Sequence, residues 1–138
     1  MRLWSTKISL LLLSIIIISG CASAPTKTIE EQYGIRVQSL RLTANGNLLD
    51  LRYKVIEPEK AYDFFKRENR PYLVEQSTGL RAKVPNMPKI GPLRQSAIKP
   101  ETDRVYFILF ANPGKLIKRG DRLTLYIGDS KIEDLVVE

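Results

Sequence analysis

Few side chains in this protein could do covalent or acid–base chemistry. Histidine is absent and cysteine occurs once, at Cys21. Without histidine, the usual hydrolase triads, imidazole zinc sites and the commonest general base fall away. A serine–lysine pair, a group of aspartates and a run of basic residues remain. Ser96 and Lys99 stand three positions apart. A catalytic lysine must be desolvated to lose its proton near neutrality, and the proline-rich stretch around this pair gives no sign of burial. Asp121, Asp129 and Asp134 fall near the last two turns. Their spacing is not that of an EF-hand loop, which alternates oxygen ligands and closes on a glutamate. Aspartates at turns ordinarily bond nearby backbone amides. The expectation is a non-enzymatic protein with no cofactor and no metal.

The basic residues are the remaining candidates. Between Glu75 and Glu101 there is no acid, and the stretch carries Arg81, Lys83, Lys89, Arg94 and Lys99. Met87, Ile90 and Leu93 are interspersed among them. Charge alone speaks of solubility and nonspecific attraction. Positive charge mixed with apolar residues in one loop points further, to a contact surface. These eight residues are the candidate partner-binding set, and Lys115 and Lys118 add charge at a second turn. The expected partner is an envelope protein or an anionic envelope polymer, with phospholipid headgroups as a further anionic candidate. Nucleic acid is not expected, because no aromatic residues interleave with the cations to form a stacking platform.

That the partner belongs to a cell envelope follows from the first residues. Arg2 and Lys7 open the chain, Ile8 to Ile18 is apolar except for Ser9 and Ser14, and Ser19 and Gly20 are small. This is the order of zones in a secretory signal, and the apolar run is shorter than the roughly 20 residues that a spanning helix needs. Ile18-Ser19-Gly20-Cys21 resembles the lipobox of bacterial lipoproteins at all four positions. The resemblance implies that residues 1–20 are cleaved, that the Cys21 thiol receives a diacylglycerol, and that its new amino group takes a further acyl chain such as palmitate. Two or three chains anchor far more firmly than one. Ala22 follows the cysteine where an aspartate would hold a lipoprotein in the inner membrane. By the same resemblance, the protein belongs on the periplasmic face of the outer membrane. The formal charge is +7, and loss of Arg2 and Lys7 with the leader lowers it by two. With Cys21 acylated, no thiol remains for a disulfide.

The elements that would position these residues read as follows. Residues 21–32 form the lipidated N-terminus and a small, polar, flexible tether, and residues 33–138 form the domain. Ile35 and Val37 alternate, then Leu40 and Leu42 alternate on the other parity, so a bulge is expected near Gln38 or Ser39. Asn45-Gly46 predicts a hairpin into the strand Leu49–Val55. Pro58 starts a short helix with Ala61, Phe64 and Phe65 inward, through about Arg67. Pro71–Glu75 and Leu80–Val84 form a second hairpin. Residues 85–100, with four prolines, are expected to be a long loop without a ladder. Val105–Phe110 is apolar on both parities and predicts a strand covered on both faces. Arg122–Ile127 and Ile132–Val137 complete the count. About seven short strands and one short helix predict an all-β, immunoglobulin-like antiparallel β-sandwich, with a small barrel as the alternative. In a different functional class, Tyr53, Phe64, Phe65, Tyr72 and Tyr106 would line a pocket for a small ligand or polysaccharide.

Overall fold

The structure is a computed structural model that describes residues 28–138. Cys21 and the leader lie outside the described residues. The first described residues are already folded. Thr28 caps helix α1 (Ile29–Tyr33) in a reciprocal capping box with Glu31, which satisfies two otherwise orphan amides. Ile29 is fully buried and Tyr33 nearly so. Residues 28–32, expected to end a flexible tether, are therefore the first turn of the core. Gly34 ends α1 with φ +58°, and its carbonyl accepts from the amides of Ile56 and Glu57 at 2.7 and 3.0 Å. A Cβ there would lie 2.6 Å from the Glu57 carbonyl oxygen.

Strand β1 (Ile35–Thr43) pairs antiparallel with β2 (Leu48–Val55), and their register shifts between Val37 and Ser39, where the parity change places it. Ala44, Asn45 and Gly46 all take positive φ in the connecting turn, as the Asn-Gly signal requires. Leu49, Leu51, Tyr53 and Val55 turn fully inward. Helix α2 (Pro58–Phe65) buries Ala61, Phe64 and Phe65. Strands β3 (Tyr72–Glu75) and β4 (Arg81–Lys83) form the second hairpin. Its turn is held by the Glu75 carboxylate, which accepts from the Ser77 amide at 2.9 Å and from the Thr78 amide and hydroxyl at 2.6 and 2.5 Å.

The proline-rich stretch is more ordered than its composition predicts. It contains a miniature hairpin, β5 (Asn86–Met87) against β6 (Gly91–Pro92), closed at the tip by Gly91 with φ +77°. Residues 93–95 then lie along β7 (Val105–Ala111): the Leu109 amide donates to the Leu93 carbonyl and the Gln95 amide to the Phe107 carbonyl, at 2.9 and 3.0 Å. Prolines forbid a long ladder, but the Leu93 carbonyl and the Gln95 amide are free to make a short one with β7, while the Leu93 amide donates to the Pro85 carbonyl at 2.9 Å. Strand β7 itself is not covered on both faces. Tyr106, Ile108 and Phe110 are buried, whereas Phe107 and Leu109 are only half-buried on the outer side. Strands β8 (Arg122–Ile127) and β9 (Ser130–Val136) end the chain.

The described residues are mostly β, arranged as several antiparallel sheets with two α-helices rather than one. One sheet has the order β1-β2-β7, the second β4-β3-β8-β9, and β5-β6 stands apart. The inner faces of the first two share one core, in which Leu51, Ile108, Leu73 and Leu125 are fully buried. At one edge the two sheets are joined, because the Glu138 amide donates to the Leu40 carbonyl at 2.9 Å. At the other edge, the chain passes from β4 through the β5-β6 arm to β7.

Candidate functional site

That second edge, made by β4, the arm and residues 93–99, gathers most of the candidate binding residues, but not in one role. Arg94 is the main correction. Its guanidinium points into the protein and donates to the carbonyls of Asn69, Lys66 and Phe65 at 2.6, 2.7 and 3.0 Å. These are groups in and just beyond the last turn of α2, where helical carbonyls lack partners. Burial lowers the Arg94 pKa, opposed by the neighbouring Tyr53. Arginine nonetheless stays protonated. Arg94 is thus a clamp between α2 and the base of the arm, not a contact for a partner. Leu93 is half-buried and hydrogen-bonded to Leu109 and Pro85 through its backbone, so it too belongs to the scaffold.

The other candidates face solvent. Lys89 and Lys99 are exposed, as are Met87 at 43% and Ile90 at 72%. Ile98, which the sequence did not single out, is 95% exposed. Arg81 and Lys83 sit on the outer face of β4. Lys83 is opposite Tyr72, and the Arg81 guanidinium lies over the Tyr72 ring at 5.4 Å. Tyr72 in turn stacks on Tyr126 across the strand pair, centroids 5.1 Å apart and planes 8° apart. This lamination of guanidinium and two rings stiffens the face from which Lys83 projects.

Ion pairing is sparse on this flank, as it is at Lys54 and at the turn carrying Lys115, Lys118 and Arg119. Among the described residues, ion pairs join Arg36 to Glu30, Arg41 to Glu138, Arg52 to Asp50 and Lys131 to Glu133, with others on α2, before β7 and between β8 and β9. None involves a residue from Arg67 to Pro100. Arg67, Arg70, Arg81, Lys83, Lys89 and Lys99 thus form no ion pair among the described residues, and the acids of the same span are Glu68 and Glu75. The clamp brings the 66–69 turn against residue 94, and the register sets Lys83 opposite Tyr72, two residues beyond Arg70. Sequence reading missed Arg67 and Arg70, because Glu68 lies between them. The signal that would have found them is the turn beyond α2, which Arg94 folds back onto the arm.

The aromatics do not line a common cleft. Tyr53 packs on Phe64, Phe65 and Tyr106 with centroids 5.0, 6.3 and 5.8 Å away, and these rings fill the interior. Tyr72 is on the opposite side of the second sheet. A depression of about 430 Å³, open to solvent, lies elsewhere, between Leu42, Thr43, Asn45, Lys115 and Lys118. Asp121 behaves as a turn former, accepting from the Lys118 amide at 2.7 Å, and Asp134 pairs with Arg122 at 3.4 Å. Among the described residues no group of three or more His, Cys, Asp or Glu could hold a metal ion, and no helix is long and apolar enough to cross a membrane. No family model, curated protein or solved structure matches this chain.

Proposed function

We propose that this protein is a lipid-anchored bacterial envelope lipoprotein whose domain is a non-catalytic binding module for another envelope component. Cys21 carries the lipid, and the domain stands at the periplasmic face of the outer membrane. The lipobox resemblance supports the anchor. The observation that carries the binding role is the flank between β4 and residue 99, where unpaired cations surround exposed Met87, Ile90 and Ile98.

We further propose an immunoglobulin-like sandwich, in the sense of strand layout. The immunoglobulin constant type has sheets ordered ABED and CFG. The orders β9-β8-β3-β4 and β7-β2-β1 reproduce those neighbours when the strands are lettered from the C-terminus. The chain would then run through the layout in reverse, with the arm inserted between the strands that correspond to C and D.

Two experiments test the reading. Metabolic labelling with palmitate should mark the wild type and not Cys21→Ser; label retained in that variant refutes the anchor. A photo-crosslinking residue placed at 83, 89 or 99 in growing cells should yield discrete adducts. Placed at Arg41, on the opposite edge, it should not. Equal adducts at all four positions refute the flank.

A further inference from the structure

We infer that the arm is a membrane-contact device: its tip, residues 87–90, seats in the headgroup region of an anionic bilayer. The inference rests on the proposed function and names the component bound as the lipid surface itself.

Three observations carry it. First, the tip is built as interfacial segments are, with apolar side chains at the point and cations around it. Met87 and Ile90 are exposed at the tip of a hydrogen-bonded hairpin, with Lys89 between them. Single exposed apolar residues are ordinary, but here three stand on one flank, with Ile98 beside Lys99. Second, the charge is complementary. Among the described residues no ion pair includes a cation of this flank, and from residue 76 to residue 100 it holds no acid, whereas anionic headgroups attract clustered lysine and arginine over a Debye length. Third, the tether is short enough to keep the domain close to the bilayer. From an acylated Cys21 to the Thr28 cap, the chain spans at most about 25 Å. A domain of this size is about 35 Å across. The domain therefore stays within the tether's reach of the headgroups, and the arm flank, with three exposed apolar side chains among six cations, suits contact better than the turn of Lys115, Lys118 and Arg119, which offers Leu116 alone. The Arg94 clamp and the Leu93–Leu109 bond make the arm's base rigid, so little ordering entropy opposes insertion.

Hydrogen–deuterium exchange on the full protein tests this. The protein is purified from membranes and reconstituted into vesicles of phosphatidylcholine alone, or of equal parts phosphatidylcholine and phosphatidylglycerol. The anionic vesicles should slow exchange at residues 86–92 by about tenfold, as expected for an arm occupied most of the time. β7 and β8 amides should not change. High salt, or the change of Lys83, Lys89 and Lys99 to serine, should abolish the difference between the two vesicles. Met87→Ser with Ile90→Ser should reduce protection while leaving β7 and β8 exchange as in wild type. Identical exchange of the wild-type arm in both vesicles overturns the inference. If crosslinks at 83, 89 and 99 then still yield a discrete protein adduct, the binding module survives with a protein as its partner. If those are absent too, the module reading falls with it.

Discussion

Arg94 offers the sharpest test of how this domain is held together. Replacing it with alanine removes donors from the carbonyls of Asn69, Lys66 and Phe65. Hydrogen bonds to a charged group contribute about 1.5–3 kcal/mol each when one partner is deleted, but these carbonyls lie at a helix end where water can replace part of the loss. A cost of about 2–4 kcal/mol for Arg94→Ala follows, a large fraction of a small domain's stability. Arg94→Lys keeps the charge but not the planar fork, and should lose about 1–3 kcal/mol. Urea unfolding of the full protein in nonionic detergent, followed by circular dichroism, reads both. With a slope of about 1–1.5 kcal/mol/M for a domain of this size, the alanine variant's midpoint should fall by about 2 M. The loss should also be local. Exchange should quicken at Leu109, whose amide bonds Leu93, and at the end of α2, before it quickens at the β8–β9 ladder. If both variants unfold within about 0.3 M of the wild type, the guanidinium is not the clamp, and Arg94 returns to the set of solvent-facing cations.

Three further outcomes follow from single sites. The Tyr53 hydroxyl is buried with no hydrogen-bond partner, and burial raises its pKa despite nearby Arg94; Tyr53→Phe should leave the urea midpoint unchanged or raise it, by up to about 1 kcal/mol, and a clear loss would reveal a partner for that hydroxyl. The Glu75 carboxylate, held by Thr78 and Ser77, has its pKa lowered from 4.5 to about 2. Because the folded state favours the charged form, its contribution is present above pH 4.5 and is lost as pH falls towards 2. Stability measured across that window should decline more in the wild type than in Glu75→Gln; parallel curves would refute the assignment. Gly34→Ala combines a left-handed backbone with a Cβ 2.6 Å from the Glu57 carbonyl oxygen, so it should cost more than about 2 kcal/mol by thermal or urea unfolding.

The strands were legible because their signals are local. The parity change at Gln38, the Asn-Gly turn and the alternation of Leu49, Leu51, Tyr53 and Val55 each dictate backbone geometry without outside help. The errors all concern residues whose partners are distant in sequence. Ile29 looked like part of a tether because its helix is a single turn, too short to form without packing; its burial depends on the core that later elements complete. The arm was hidden because four prolines read as a broken ladder, whereas the amides that matter, Leu93 and Gln95, belong to other residues. Arg94 looked like its neighbours Lys89 and Lys99, because a cation's type does not reveal whether it faces water or three backbone carbonyls.

The Arg94 correction strengthens the case for a built surface. A stretch of 16 residues, 85–100, with no acid and four prolines could be a solvated loop whose charge is incidental. A loop of that kind would not need an arginine committed to the end of a helix, or two backbone bonds to β7, to fix its base. Here the fastening residues, Arg94, Leu93 and Gln95, turn inward, and the residues beyond them, Met87, Lys89 and Ile90, turn outward. Rigid support beneath exposed apolar side chains lowers the entropy lost on contact. Exposed apolar groups otherwise invite nonspecific association. The same logic orders the tests: if loosening Arg94 lowers stability and also removes arm protection on anionic vesicles, support and contact are one device. If stability falls while protection persists, the tip binds without help from its base.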